Sequence, residues 1–172
     1  MITRKKTLLA IFVLLASTLT LSSCSKSEPA VEKVAAVSIS EPVARSIDGM
    51  SSKSKKSGKY MTGAFMTISN ASDAVVTLTG GTSPDAGYIE IHEVINGEMT
   101  PMANGLDIPA NNSVKLRMGG YHVMLMDLAK EIKAGDEVSF SLNFSDGSTI
   151  NVTAPVKDIA MDDEIYGVEK GM

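Results

Sequence analysis

Two histidines and a set of methionines are the side chains best suited to chemistry in this chain. His92 and His122 are the only histidines, and methionine occurs 11 times in 172 residues. In segment 121–126 (YHVMLM), strand alternation would place His122, Met124 and Met126 on one face. Imidazole nitrogen and thioether sulfur both suit the soft ion copper(I). The pattern predicts a soft-metal site, although a surface histidine beside core methionines would show the same spacing.

His92 lies in a second segment with the same alternation. In segment 88–92 (YIEIH), the two isoleucines fall on one face and His92 falls on the other. The dipeptide Asn96-Gly97 follows and is a strong signal for a tight turn. Met99 and Met102 come directly after it, on what the sequence predicts to be an exposed turn. Methionines bury little apolar area in such a place, so their presence favours a role as ligands.

Other classes of site fit the sequence poorly. No nucleophile, base and carboxylate combine into a catalytic set, and the sequence contains no Gly-rich phosphate loop. Catalytic zinc commonly takes three nitrogen or oxygen ligands and a water, and blue copper uses a cysteine. The single cysteine, Cys24, is far in sequence from both histidines. We therefore do not expect an enzyme. The alternative to a metal carrier is a lipoprotein module that binds a protein or a glycan and no metal.

The N-terminal segment has the pattern of an export signal. A basic start over 1–6 precedes a short apolar run over 7–21 and the small residues before Cys24. The apolar run is shorter than the about 20 residues that a membrane span needs. The sequence LSSC resembles the bacterial lipobox, so we expect a signal peptide over 1–23 and a lipid on Cys24. Ser25 is typical of sorting to the outer rather than the inner membrane. An ordinary signal that happens to contain Cys24 is the alternative.

The charge balance argues against nucleic acid as a partner. The chain carries 16 Lys and Arg against 20 Asp and Glu, a formal net charge of −4. Removal of the signal peptide would take away three of the basic residues and make the remainder more acidic. An acidic chain without a basic stripe lacks the charge that phosphate contacts require.

Composition divides the rest of the chain into three parts. Residues 24–33 predict a polar tether, 34–157 one domain, and 158–172 an acidic tail. Within the domain, the polar and basic segment 44–59 predicts an exposed loop. Short apolar alternations separated by turn residues predict an all-β fold, an antiparallel sandwich. The predicted strands are 34–43, 64–68, 75–78, 88–95, 113–118, 121–128, 138–144 and 149–156.

Several segments resemble a known family, the PCu(A)C periplasmic copper chaperones. The most specific are 89–93 (IEIHE), 105–110 (GLDIPA) and 119–126 (GGYHVMLM). The resemblance covers roughly 34–156 and implies a cupredoxin-like β-sandwich of the Greek-key type. It also implies a Cu(I) site formed by two histidines and two methionines, and delivery of copper towards cytochrome c oxidase.

The resemblance also assigns candidate ligands by position. His92, His122 and Met124 match three ligands of the family, and Met126 matches a further family methionine. The family places a Met-x-Met in the turn after the first histidine, whereas here two residues separate Met99 from Met102. We take Met102 as the fourth ligand and Met99 as the alternative to it.

These observations together predict an exported, membrane-anchored copper carrier of the periplasm. Its expected partners are the copper ion and a copper-accepting protein, which the resemblance implies to be cytochrome c oxidase or one of its assembly factors. We expect contact with the membrane by the lipid anchor only. Transfer would proceed by ligand exchange. Protons compete with copper for imidazole, so binding is expected to weaken below about pH 6.5 unless folding shifts the pKa.

Overall fold

A computed structural model describes residues 36–47 and 57–159. All of these residues belong to one compact unit, Lys33–Met172. The predicted signal peptide, Cys24, the tether and all but the first two residues of the predicted tail lie outside the described residues. Neither described range contains a helix long and apolar enough to cross a membrane.

Ten β-strands form the regular structure of the described residues, which contain no helix. They are β1 (Val37–Arg45), β2 (Tyr60–Asn70), β3 (Val76–Thr82), β4 (Tyr88–Ile95), β5 (Glu98–Pro101), β6 (Leu106–Ile108), β7 (Asn112–Leu116), β8 (His122–Leu128), β9 (Glu137–Phe144) and β10 (Thr149–Lys157).

The strands form two sheets that are joined at one edge. The first, sheet A, has the order β5-β4-β8-β2-β1. Strand β8 pairs with the first half of β2, and β7 pairs with the second half along the same edge of β2. The second, sheet B, has the order β10-β9-β3-β6. All pairs within the sheets are antiparallel, and a short parallel pairing of β1 with β10 joins them through Ala44↔Val156 and Arg45↔Lys157. Most neighbours in the sheets are distant in sequence.

One hydrophobic core fills the space between the sheets. In β9, Val138, Phe140 and Leu142 are buried and alternate with less buried residues. Val123 and Leu125 of β8 belong to the same cluster of core residues. Because alternate side chains of a strand point to opposite faces, the neighbours of these β8 residues lie on the outer face of sheet A, away from the core.

The observed strands confirm most of the predicted ones, with three differences. Strand β2 is longer than predicted, and β5 and β6 were not predicted. The prediction that an exposed loop begins at Ala44 is wrong, because β1 runs through Arg45 and both Ala44 and Ile47 are buried. The Ser46 backbone N–H also donates to the Lys157 carbonyl at 2.7 Å, which continues the contact between the sheets.

A tight hairpin connects β4 to β5. Asn96 and Gly97 both have positive φ, at 52° and 83°, as the type I′ turn favoured in two-residue hairpins requires. This confirms the turn predicted from the dipeptide. The turn fixes the register so that Val94 faces Met99 and His92 faces Pro101. The segment that carries Met99 is thus an edge strand and not a loop.

Candidate metal centre

The two histidines meet on the outer face of sheet A. His92 of β4 and His122 of β8 are direct partners in the strand register. Their ring centroids lie 5.7 Å apart with an interplanar angle of 61°. The side chains are nearly inaccessible, with 7% and 4% of their surfaces exposed. Both histidines lie in strands, as the sequence predicted, but they are buried rather than surface residues.

His122 has one nitrogen satisfied and the other without a partner. Nδ1 lies 2.9 Å from the carbonyl oxygen of Gly120, which can only accept, so Nδ1 carries the proton. Nε2 is then a lone-pair nitrogen, and it is buried with no hydrogen-bond partner among the described residues. Buried polar atoms almost always have a partner. A nitrogen in this state is suited to bind a metal ion.

His92 has the same arrangement with its two nitrogens exchanged. Nε2 lies 2.9 Å from Oε2 of Glu90; the carboxylate can only accept, so the Nε2–H of His92 donates this hydrogen bond. Nδ1 keeps its lone pair and is buried without a hydrogen-bond partner in the described part of the chain. Histidines that bind metals commonly donate their other N–H to a carboxylate or a carbonyl, which fixes the ring and its tautomer. Glu90 and Gly120 provide those two acceptors here.

The environment of His122 favours its neutral form. Burial is the main cause that lowers the pKa of His122 below its ordinary value of 6.5. The neighbouring His92 lowers it further, while the hydrogen bond to Gly120 acts in the opposite direction. The neutral imidazole is the form that binds a metal ion. The lone pair on Nε2 is therefore available at neutral pH, and proton competition at this ring begins at a lower pH than for an ordinary histidine.

A cavity of about 400 Å³ opens beside His122. Met124 of β8 and Met99 of β5 line it together with His122. Gly63 of β2, the register partner of Met124, lines it as well. A Cβ atom at Gly63 would lie 3.1 Å from Cζ of Phe65 and 3.8 Å from Cδ2 of His122, so the absence of a side chain there leaves room next to the imidazole.

The structure separates the two methionines that follow the hairpin. Met99 shares a face with Val94, and by strand alternation with His92. Its side chain is 55% exposed. Met102, by contrast, packs against the hydrophobic core, and its backbone N–H donates to the carbonyl of Ile91 at 2.8 Å. Met99 therefore lies on the histidine face, whereas Met102 lies on the core side of the sheet.

The cavity is also lined by two methionines that the sequence did not point to. Met61 of β2 and Met118, in the connection between β7 and β8, are both in its wall. No local pattern points to them, because they reach the cavity only through the pairing of β2 with β7 and β8. Met126 shares the outer face with Met124 and is buried, with Tyr88 as its register partner. It does not line the cavity.

The donor set at this site suits a soft monovalent cation. Two imidazole nitrogens without hydrogen-bond partners belong to neighbouring histidines, one of which, His122, lines a cavity that contains thioethers. The described residues contain no cysteine. Copper(I) accepts both kinds of donor. In the described part of the chain, no three His, Cys, Asp or Glu side chains form a group that could hold a metal ion. Thioether sulfur is the other soft donor that lines the cavity beside His122.

Comparison with known proteins identifies the family. The family described as "Putative lipoprotein LpqE-like" matches residues 33–156. The chain belongs to this family. Among individual relatives, "Putative lipoprotein Lxx21020" of Leifsonia xyli subsp. xyli is 39% identical over 116 residues, which cover 65% of this chain and 70% of that protein.

Solved structures with the same fold are PCuAC domains. The solution structure of Cu(I)-bound DR1885 from Deinococcus radiodurans matches 70% of this chain and 78% of that chain, with 31% identity and a TM-score of 0.52. The copper-bound PCuAC domain of PmoF2 matches 73% of this chain and 96% of that domain, with 22% identity and a TM-score of 0.57. The predicted all-β, cupredoxin-like fold and the membership of the PCu(A)C family are confirmed.

Proposed function

We propose that this domain binds one Cu(I) ion on the outer face of sheet A and passes it to another protein. The proposed ligands are His92, His122, Met124 and Met99. One observation carries the proposal: within the described residues, each histidine of the facing pair keeps a buried nitrogen without a hydrogen-bond partner, and His122 lines a cavity that also contains thioethers. The structure of a relative with 31% identity in its Cu(I) form supports the choice of ion.

The placement of the two candidate methionines leads us to prefer Met99 over Met102 as the fourth ligand. Met99 lies on the same face as His92 and lines the cavity beside His122, whereas Met102 packs against the core. Met102 could reach the ion only if its side chain left the core and crossed the sheet. The exposure of Met99 also gives a partner protein access to one ligand without disturbing the other three.

The neutral ligand set suits a carrier better than a permanent site. Two imidazoles and two thioethers bring no negative charge, so the charge of the ion is left uncompensated within the first layer of ligands. The carboxylate of Glu90 carries a negative charge, but it is hydrogen-bonded to the His92 nitrogen that does not bind the ion. It therefore compensates the charge of the ion only through the imidazole ring. Incoming ligands of an acceptor can then replace Met99 first and the buried ligands afterwards. Each step breaks one bond to copper as another forms, and no oxidation is needed.

The destination of the copper follows from the family resemblance alone. We propose cytochrome c oxidase or one of its assembly factors as the acceptor. The test is a transfer experiment in which Cu(I)-loaded protein is mixed with a candidate acceptor under anaerobic conditions and the two are then separated. Copper that remains with the donor in the presence of an apo acceptor of higher affinity would contradict delivery and favour storage.

We further propose that the protein acts in the periplasm as a lipoprotein anchored through Cys24, at the outer membrane where one exists. Membership of a lipoprotein family supports export. The acidic composition gives nucleic acid no part in this function. Metabolic labelling with a radioactive fatty acid tests the anchor: the wild-type protein should be labelled and the Cys24→Ala variant should not. Separation of inner from outer membranes tests the sorting.

The decisive test of the proposed function is a copper titration. The full chain, purified in mild detergent, is titrated with Cu(I) against a chromophoric chelator under anaerobic, reducing conditions. We expect one equivalent to bind tightly, and binding to be lost in the His122→Ala and Met124→Ala variants. If the wild-type protein leaves all the copper with the chelator, the copper-carrier function is wrong, and a module that binds protein or glycan becomes the better interpretation.

A further inference from the structure

The cavity next to His122 contains more thioethers than a site with two methionine ligands needs. Methionine supplies four of the 13 residues that line it, but only 11 of the 172 residues of the chain. The four are Met61, Met99, Met118 and Met124. This enrichment calls for a reason other than the filling of space, which Leu or Ile would serve as well.

The methionines of the cavity are not part of the hydrophobic core. Met118 and Met124 are buried, at 8% and 4% exposure, yet neither belongs to the cluster of residues that fills the space between the sheets. Met66, on the opposite face of β2, does belong to that cluster. The chain therefore uses methionine in two distinct ways, and the cavity group packs on the outer face of sheet A.

The thioethers of the cavity lie on both sides of β8. In sheet A, β8 lies between β4 and β2. Met99 approaches from the β4–β5 side, whereas Met61 is on β2 and Met118 lies in the connection that leads into β8. His122 and Met124, both on β8, lie between the two groups. A cation bound to His122 and Met124 therefore has further thioether sulfur atoms on both sides of β8.

We propose that Met61 and Met118 are auxiliary thioether ligands that form a second position for Cu(I) in the same cavity. This inference rests on the proposed function. The ion first binds to His92, Met99, His122 and Met124. When a bond to His92 or Met99 breaks, a bond to the sulfur of Met61 or Met118 forms, while His122 and Met124 remain bound. The ion crosses β8 with its oxidation state and charge unchanged.

The second position is suited to brief occupation during loading and release. In the first position, Glu90 accepts a hydrogen bond from His92 and places a negative charge behind that ligand, whereas the described residues that line the cavity with Met61 and Met118 include no carboxylate. We therefore expect the resting ion in the first position. The auxiliary thioethers should change the rate of copper exchange more than the affinity.

The first experiment counts sulfur ligands by X-ray absorption spectroscopy. The Cu(I)-loaded wild type should show two nitrogen and two sulfur neighbours, and His92→Ala should replace the lost nitrogen with sulfur. In the triple variant with Met61→Leu and Met118→Leu added to His92→Ala, the additional sulfur should be absent. The inference is overturned if His92→Ala gains no sulfur, or if the gained sulfur persists in the triple variant.

The second experiment measures release. The Cu(I)-loaded full chain, in mild detergent, is mixed rapidly with an excess of a chromophoric chelator. In the variant with Met61→Leu and Met118→Leu, release should be slowed by about tenfold, which corresponds to a barrier raised by about 1.4 kcal/mol. Equilibrium affinity should change by less than about threefold. A matched variant with Met66→Leu and Met126→Leu, which changes two buried methionines outside the cavity, should release copper at the wild-type rate.

The outcomes separate this inference from the proposed function. A wild-type protein that binds no Cu(I) would remove both. A wild-type protein that binds one equivalent, together with an unchanged release rate in the Met61→Leu, Met118→Leu variant, would overturn only the second position. Equal slowing in the matched control would also overturn it, because the effect would then come from packing and not from the sulfur atoms of the cavity.

Discussion

His92 and His122 face each other across β4 and β8 with their rings 5.7 Å apart. Each ring is fixed at one nitrogen by a hydrogen bond of 2.9 Å, and each has its other nitrogen buried without a partner in the described residues. Two lone pairs are thus held ready on neighbouring strands before any ion arrives. A site whose ligands are already oriented requires little rearrangement on binding.

Loss of His122 should abolish tight copper binding. Changing a residue that merely supports a metal ligand typically costs 10–100-fold in affinity, so removal of a ligand by His122→Ala should cost more than about 100-fold. The measurement is competition for Cu(I) with a chromophoric chelator. Circular dichroism controls for folding, because the side chain is buried. A folded His122→Ala protein that retains wild-type affinity would exclude this ring as a ligand.

Met99 and Met102 form a matched pair for testing the fourth ligand. Met99→Leu should weaken Cu(I) binding by about tenfold or more, with little change in stability because the side chain is largely exposed. Met102→Leu should leave the affinity near the wild-type value and change the free energy of unfolding by less than about 1.5 kcal/mol, as volume-conserving swaps do. The reverse result would show that Met102 is the ligand despite its place against the core.

Glu90 should act through the orientation of His92. Glu90→Ala removes the acceptor from Nε2 and should lower copper affinity by about 10–100-fold. Glu90→Gln keeps an acceptor without the charge and should restore part of that loss. The direct readout is the ¹⁵N shift pattern of the His92 ring, which should indicate a proton on Nε2 in the wild type and a mixture of tautomers in Glu90→Ala. An unchanged tautomer in that variant would contradict this role.

The metal-free protein should lose stability as the pH falls below 6.5. Burial lowers the pKa of His122 from that value, so between 6.5 and the lower folded pKa the unfolded chain binds more protons than the folded one. The contribution of His122 to stability then rises with pH across this window and is constant on either side of it. Urea unfolding at a series of pH values, with a chelator present, measures the slope. His122→Gln should remove this contribution, and an identical slope in that variant would contradict it.

The sequence predicted the strands of the site because alternation is a strong local signal. Segments 88–92 and 121–126 alternate apolar residues with polar or sulfur-bearing ones, and they form most of β4 and most of β8. The isoleucines of the first segment, and Val123 and Leu125 of the second, face the core. That both histidines are buried did not follow from the sequence. The outer face of β8 is buried by side chains from neighbouring strands. One of them is Phe65 of β2, whose ring centroid lies 6.3 Å from that of His122.

The preference for Met99 over Met102 was within reach of the sequence. A two-residue turn at Asn96-Gly97 fixes the register of the hairpin, so Met99 must face Val94 and share the face of His92. The family resemblance drew attention to Met102 instead. Met61 and Met118 carried no such signal, because β2, β7 and β8 come together only through long-range pairing.

The separation of the two faces of sheet A has a consequence for evolution. The residues that stabilise the fold point into the space between the sheets, while the proposed donors point the other way. A mutation that exchanges one soft donor for another, or alters the mouth of the cavity, leaves the packing between the sheets intact. Under the proposed function, lineages of this family can therefore change the affinity of the site, or the soft ion that it prefers, while the residues between the sheets stay the same.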